Sequence, residues 1–132
     1  MDAGRCPLCG RQYHLTRTPA ESKALNDRAG PMVIVAGSGM ATGGRILHHL
    51  RRRLPDPRTT VLLVGYQAEG TRGRALQYGA DAVTIFGERV PVRAKVETVH
   101  GLSGHADRDD LLAWMGGFSR PPQVVYAVHG EP

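Results

Sequence analysis

The sequence has no apolar run approaching the ~20 residues needed to span a membrane, and its N-terminus carries no apolar core of a signal peptide. A membrane protein is therefore not expected, and the cytoplasm is the expected compartment. Cysteine is nearly absent. The two present stand together in Cys6-Pro-Leu-Cys9, a spacing unusual for a structural disulfide and common in metal knuckles and redox motifs. With His14 they offer three ligands for a separate zinc, where a structural zinc usually takes four. The other reading is a flexible terminus with two reactive thiols. Aromatic residues make up only 5% of the chain, which argues against platforms on which unpaired bases stack. There is no internal repeat and no low-complexity segment.

What is present suits one domain of ordinary size: 132 residues, 41% of them hydrophobic. The formal net charge of +5 is unevenly spread. Residues 1–58 hold ten Lys/Arg against four Asp/Glu, whereas residues 59–132 hold seven against eight. A basic first half points to an anionic partner such as nucleic acid; the blander reading is a solvated surface.

The pattern predicts a short helix over residues 18–28, with Thr18 as N-cap, Pro19 in the first turn and Glu21 three residues after the cap. Residues 32–36, Met-Val-Ile-Val-Ala, read as a buried strand. A helix follows from about residue 43 to 54, with Ile46, Leu47, Leu50 and Leu54 on its apolar stripe and His48, His49, Arg51 and Arg52 largely off it. Residues 59–64 read as a second strand, completing a right-handed parallel β-loop-α-β unit.

Between the first strand and its helix lies Gly37-Ser-Gly-Met-Ala-Thr-Gly-Gly44. Glycines let backbone N–H groups approach a ligand, and the helix presents its positive end. Ser38 and Thr42 add hydroxyls, Gly39, Gly43 and Gly44 add access, and Arg45 adds charge. These make a candidate phosphate cradle; a tight, close-packed turn is the alternative. The pattern is neither G-x-G-x-x-G nor a P-loop. A second polar loop, Gly65-Tyr-Gln-Ala-Glu-Gly70, precedes a short helix over residues 71–78. In open parallel sheets ligands bind beyond strand C-termini, so Tyr66, Gln67, Glu69 and Arg72 join the binding candidates.

From residue 81 three short runs follow, 82–86, 89–93 and 95–99, the first two joined by a hairpin turn at Gly87-Glu88. Asp107 caps a helix to about Gly116, with Leu111, Leu112 and Met115 as its inner stripe and Trp114 in the core or at its edge. Residues 123–128 read as a last strand. Two histidines stand among small residues after apolar runs: His105 in Gly101-Leu-Ser-Gly-His-Ala-Asp107 and His129 in Val128-His-Gly-Glu131. A histidine held by rigid backbone at a strand end suits a metal ligand or a proton donor.

Five stretches occur in an order that resembles the C-terminal part of the β-CASP branch of the metallo-β-lactamase fold, zinc-dependent RNA-processing nucleases related to the cleavage and polyadenylation endonuclease and to RNase J. They are Thr16-Arg-Thr-Pro-Ala-Glu-Ser-Lys-Ala-Leu-Asn26, Val35-Ala-Gly-Ser-Gly-Met-Ala-Thr-Gly-Gly-Arg45, Leu63-Val-Gly-Tyr-Gln-Ala-Glu-Gly-Thr71, Gly101-Leu-Ser-Gly-His-Ala-Asp107 and Val128-His-Gly-Glu-Pro132. Members carrying an RNA specificity domain look closest. The resemblance implies an α/β fold: the C-terminal half of a β-CASP Rossmann-like parallel sheet, then terminal strands and a helix of the αββα sandwich. It divides the chain into a ragged start with a possible CxxC knuckle (1–15), a partial β-CASP domain (16–86) and a segment completing the metallo-β-lactamase part (87–132). It implies that His105 is the general acid, that His129 completes a two-zinc site, and that the loop from Ser38 to Gly44 lies near substrate phosphates.

The departures carry equal weight. The family's His-x-His-x-Asp-His ligands, a later His, a bridging Asp and the first acidic β-CASP motif are missing, and the only adjacent pair, His48-His49, falls mid-helix. The chain therefore reads as a C-terminal fragment, a truncated gene product or one piece of a split enzyme, partnered by a missing N-terminal half or by a second copy through exposed sheet edges. Zinc is expected to bind weakly or not at all to the isolated chain, which is expected not to cleave RNA. The alternative function is a non-catalytic RNA-binding module using the basic first half and the Ser38–Arg45 loop. A nucleotide-binding Rossmann-like domain is a third, lacking both G-x-G-x-x-G and an acidic residue at the next strand end.

Overall fold

Thr18 opens helix α1 (Pro19–Ala24): its side chain accepts from the Glu21 N–H, and Pro19 occupies the first turn, where an N–H has no partner to lose. The Glu21 carboxylate takes the Arg17 N–H at 2.7 Å, one residue before the position a capping box uses. A 3-10 turn (Leu25–Asp27) extends the helix. This computed structural model describes residues 13–99 and 106–126. They divide between two compact units, one up to Leu102 and one from Ser103.

In the first unit, helix α2 (Ile46–Arg53) buries the predicted stripe: Leu47, Leu50 and Leu54 are buried and Ile46 packs at their edge. Strand β1 (Thr60–Leu63) follows, then α3 (Arg72–Gln77), whose cap Thr71 accepts from the Arg74 N–H. Strands β2 (Ala82–Ile85) and β3 (Glu88–Pro91) form an antiparallel hairpin. Its two-residue turn is Phe86-Gly87, with φ of 51° and 80°, so the reversal sits one residue earlier than the Gly87-Glu88 expected. Two positive φ angles match the right-handed twist of the flanking strands, and the Phe86 ring rests on the His48 ring at 4.7 Å between centroids. Strand β4 (Lys95–Thr98) then pairs in parallel with β1, Thr60 opposite Lys95. The architecture is the mixed α/β arrangement expected, with a parallel pair, an antiparallel hairpin and helices.

The core collects Leu47, Leu50 and Leu54 from α2, Leu76 from α3, Val83 and Ile85 from β2, and Val90 from β3. Leu54 is fully buried, and its carbonyl accepts from both Arg93 N–H and Ala94 N–H, so the helix end is tied to the β3–β4 link. Leu54→Ala leaves those bonds in place and opens a cavity. It should lower unfolding free energy by about 3 kcal/mol, read as a shifted denaturant midpoint with an unchanged slope; a loss below ~1 kcal/mol would mean that the site collapses around the smaller side chain.

Two expectations need correction. Residues 32–36 form no strand, and Val33 and Val35 are 91% and 90% exposed. An apolar run becomes a strand only when another strand takes its N–H and C=O groups; β1 is paired with β4, and no described strand flanks 32–36. The β-loop-α-β unit therefore lacks its first strand. For the same reason the β1–β4 pair has an open face: Leu62 and Val64 are about half exposed, although parallel sheets are normally covered on both sides.

In the second unit, α4 (Arg108–Gly116) starts with a capping box in which Asp107 accepts from Asp110 N–H at 2.9 Å and Asp110 accepts from Asp107 N–H. Its predicted inner stripe is not enclosed: Leu111, Leu112 and Trp114 are at least half exposed, and Trp114 meets Phe118 edge to face. Residues 123–126 carry no strand; 127 and 128 lie outside the described residues. No helix among the described residues is long and apolar enough to cross a membrane.

Candidate functional site

The glycine-rich loop owes its shape to the segment that follows β1. Four successive loop carbonyls point at that segment. Gly39 C=O accepts from Gln67 Nε2 at 3.0 Å, Met40 C=O from the Gly73 N–H at 2.9 Å, and Ala41 and Thr42 C=O from Arg72 Nη1 at 3.2 Å each. Arg72 Nε reaches on to the Thr84 carbonyl, so one guanidinium braces the loop against β2.

Turning four carbonyls one way requires sharp backbone reversals. Ser38 and Ala41 have φ of 63° and 54°, and Gly44 has 75°. The first two carry a Cβ, and the left-handed conformation costs such residues ~1–2 kcal/mol each. Strain of this kind persists where surroundings over-determine it and concentrates at binding sites. The loop also closes on itself: Ala41 N–H donates to Ser38 C=O, and Gly43 N–H to Ser38 Oγ.

With the carbonyls turned inward, the other side of the loop presents donors. Thr42, Gly44 and Arg45 are exposed and Gly43 is half-buried. Among the described residues, the N–H groups of Thr42 and Gly44 have no protein acceptor. Ser38 Oγ, accepting from Gly43, keeps its own proton to donate. Arg45 precedes α2 and donates one N–H to Thr16 C=O at 3.0 Å. Its charge also helps hold the Glu21 carboxyl below the usual range, behind the larger effect of the Arg17 N–H. Two N–H groups without a protein acceptor, a hydroxyl and a guanidinium at a helix start suit an oxyanion such as a phosphodiester.

The candidates of the second loop have different places. Gln67 is 1% exposed, with Nε2 shared between Gly39 C=O and Gly65 C=O. Arg72 is spent on carbonyls. Tyr66 is half exposed and Glu69 is exposed. His14 is exposed; Cys6, Cys9, His105 and His129 lie outside the described residues. No cluster of three or more His, Cys, Asp or Glu able to hold a metal ion exists among the described residues, which on their own do not fit a zinc site.

A second polar cluster was not anticipated. His49, placed off the apolar stripe by the sequence pattern, is 4% exposed. Its Nδ1 lies 2.8 Å from Asn26 Oδ1 and its Nε2 2.9 Å from Ser22 Oγ. Asn26 Nδ2 donates to His48 C=O, so its oxygen faces His49. Nδ1 therefore carries the ring proton, and Nε2 accepts from the serine hydroxyl. The trio has the order of a nucleophile, a base and an orienting group, but Ser22 is 4% exposed and closed to any substrate. It clamps α1 and the 3-10 turn to α2. The available signal was spacing: position 49 lies three residues after Ile46, at the edge of the stripe.

Comparison with known proteins bears on both ends of the chain. A family model described as a Beta-Casp domain matches residues 1–76. A second, described as a Zn-dependent metallo-hydrolase RNA specificity domain, matches residues 89–132. Among curated relatives, Ribonuclease TTHA0252 of Thermus thermophilus is 54% identical over 128 residues, covering 97% of this chain and 29% of that protein. Transcription termination factor FttA of Pyrococcus abyssi is 36% identical over 134 residues, 98% of this chain and 21% of that protein. An RNase J-like protein of Methanocaldococcus jannaschii is 39% identical over 101 residues, 76% of this chain and 23% of that protein. The chain thus spans less than a third of the length of these relatives.

Proposed function

Since the chain belongs to the β-CASP family of metallo-β-lactamase-fold proteins, we propose that it is part of a zinc-dependent hydrolase acting on RNA phosphodiester bonds, and that the Ser38–Arg45 loop contacts the RNA backbone. The observation that carries the loop assignment is its one-sided wiring: the carbonyls of residues 39–42 are all taken up by the segment after β1, while the N–H groups of the exposed Thr42 and Gly44 have no acceptor among the described residues. The matched RNA specificity domain and a ribonuclease relative support RNA as the ligand.

In this reading residues 16–86 supply the backbone-binding surface and residues 87–132 the two histidines. His105 is the general acid that protonates the leaving oxygen, a role that an imidazolium can fill. His129 is a candidate zinc ligand. When bound, zinc would polarise the phosphate and generate hydroxide. The chain spans less than a third of the length of its relatives, and in this reading the remaining ligands come from a further part of a longer protein or from a second copy of this chain. The exposed Val33, Val35, Leu62 and Val64 support such a partner: they are the apolar surface that an added strand and covering helix would enclose. On the same reading Gln67 and Arg72 act from behind the loop, and the half-exposed Tyr66 is the second-loop candidate for an RNA contact. The cytoplasm is the compartment that holds this substrate.

Zinc content and ribonuclease activity of the purified chain, with His129→Ala alongside, test the reading. We expect no tightly bound pair of zinc ions, no cleavage, and RNA binding that weakens steeply with salt. Two zinc ions with His129-dependent cleavage would show that the chain completes a catalytic site by itself. Absence of RNA binding at low salt would remove the loop assignment and with it the alternative of a non-catalytic RNA-binding module.

A further inference from the structure

We propose that Gln67 is the positioning residue of the glycine-rich loop: a side chain that touches no RNA sets the geometry on which RNA affinity depends. The proposal rests on the reading that the Ser38–Arg45 loop contacts the RNA backbone.

Gln67 is 1% exposed, so a direct contact is closed to it. Its carboxamide orientation is determined by its neighbours. Nε2 sits 3.0 Å from both Gly39 C=O and Gly65 C=O. An oxygen in that place would face two acceptors, so the nitrogen must occupy it. One amide thus joins the loop to the chain leaving β1. The Gln67 main chain is held in turn, its carbonyl accepting from Arg74 Nη1 at 3.3 Å.

The amide oxygen shows how tightly the site is built. Oε1 is buried without a hydrogen-bond donor among the described residues. It lies 1.6 Å from the point that a Cβ at position 73 would occupy, against the Cα hydrogens of Gly73, which are weak donors at best. Gly73 in turn donates its N–H to Met40 C=O. Gln67 and Gly73 therefore interlock, and between them they hold the carbonyls of residues 39 and 40. A buried acceptor without a full partner is unfavourable, and here it accompanies the one orientation in which Nε2 serves both carbonyls.

The loop needs such a restraint because of Ser38 and Ala41. Residues with a Cβ leave the left-handed region when released. Without the Gln67 amide, Gly39 C=O loses its partner and the peptide planes beside it are free to turn. The N–H groups of Thr42 and Gly44, which have no protein acceptor among the described residues, then lose the fixed placement that an oxyanion would need. Arg72 still holds residues 41 and 42, so the fold survives while that placement is lost.

The test uses the full chain and a fluorescein-labelled oligouridylate, with affinity followed by anisotropy across a salt series. Gln67→Ala and Gln67→Met both remove the donor; methionine also fills the space, so a loss common to both is not a cavity effect. Each should bind about tenfold more weakly, the scale of one lost hydrogen bond to a charged group, with the log–log salt slope kept, since no cationic side chain is removed. Val90→Ala, a core truncation in β3, should lower thermal stability and leave affinity and slope unchanged. Wild-type affinity in both Gln67 variants, with weakened binding in Arg45→Ala, would overturn the positioning role and leave the loop reading standing. Unchanged binding in the Gln67 variants and in Arg45→Ala would overturn both. If the alanine variant does not fold, the methionine variant decides.

Discussion

Replacing Gly73 by alanine should destabilise the protein by about 3 kcal/mol, although helix propensity argues the opposite. Gly73 lies in the first turn of α3 with no positive φ. On propensity alone alanine would gain ~1 kcal/mol there. The added methyl, however, would fall 1.6 Å from Gln67 Oε1, 2.8 Å from Gln67 Cδ and 3.0 Å from Met40 O. The first two atoms are held by the bonds from Nε2 to Gly39 and Gly65, and the third is the acceptor of residue 73's own N–H. None is the loose end of an exposed side chain, so the clash outweighs the propensity gain. The double variant Gln67→Ala/Gly73→Ala removes the side-chain part of the clash, so its destabilisation should be smaller than the sum of the two single losses by ~1 kcal/mol or more. Denaturant unfolding of the four proteins measures this coupling; additive losses would mean that Gln67 does not occupy the space beside residue 73.

The second large effect concerns His49. Replacement by leucine leaves the buried Ser22 Oγ and the half-buried Asn26 Oδ1 without their partner, at about 3 kcal/mol for the pair of lost bonds. The effect should depend on pH. Burial lowers the His49 pKa from its ordinary value of 6.5, with the nearby positive charges of His48 and Arg53 adding to the shift. A lowered imidazole pKa means that the folded state favours the neutral ring. The unfolded chain takes up a proton near 6.5, and the folded chain only at lower pH. Stabilisation by His49 is therefore complete above the unfolded value and declines as pH falls through 6.5 toward the folded value. The stability gap between wild type and His49→Leu should be widest at neutral and alkaline pH and narrow on acidification. The other five of the six histidines are common to both proteins and drop out of the difference. A gap that is constant or widens toward acid would show that the ring is not held neutral by the fold.

These two sites also mark how far the sequence could be read. Helix α2 was legible because its apolar residues recur at helical spacing, and α1 and α4 because Thr18 and Asp107 cap them; α3 was read one residue too long at each end, Thr71 being its cap. Such information is local: a cap or a stripe is complete within one or two turns. The glycine loop was legible as a glycine-rich strand-to-helix connection, and the structure leaves its Thr42, Gly44 and Arg45 exposed. His49 was misplaced because helical phase fixes direction to within about one residue, and whether an edge position is covered depends on Ser22 and Asn26, more than twenty residues earlier.

Pairing between distant segments was not legible at all. Residues 32–36 are the more apolar and β-branched run and 95–98 (Lys-Val-Glu-Thr) the more polar, yet only the second becomes a strand, by pairing with β1. Strand formation depends on a neighbour that supplies complementary N–H and C=O groups, and no single segment encodes its neighbour's presence. The same holds for Gln67. Its residue type marked it as a polar loop side chain and a candidate ligand contact; only the fold buried it and turned its amide toward Gly39 and Gly65. By itself the sequence determined the helices, the glycine-rich loop, the basic first half and the family to which they belong, because each is written in local spacing or in an ordered set of motifs. The tertiary structure decided which apolar runs pair, which polar side chains are enclosed, and that the loop's carbonyls face inward, because those depend on contacts between residues far apart in the chain.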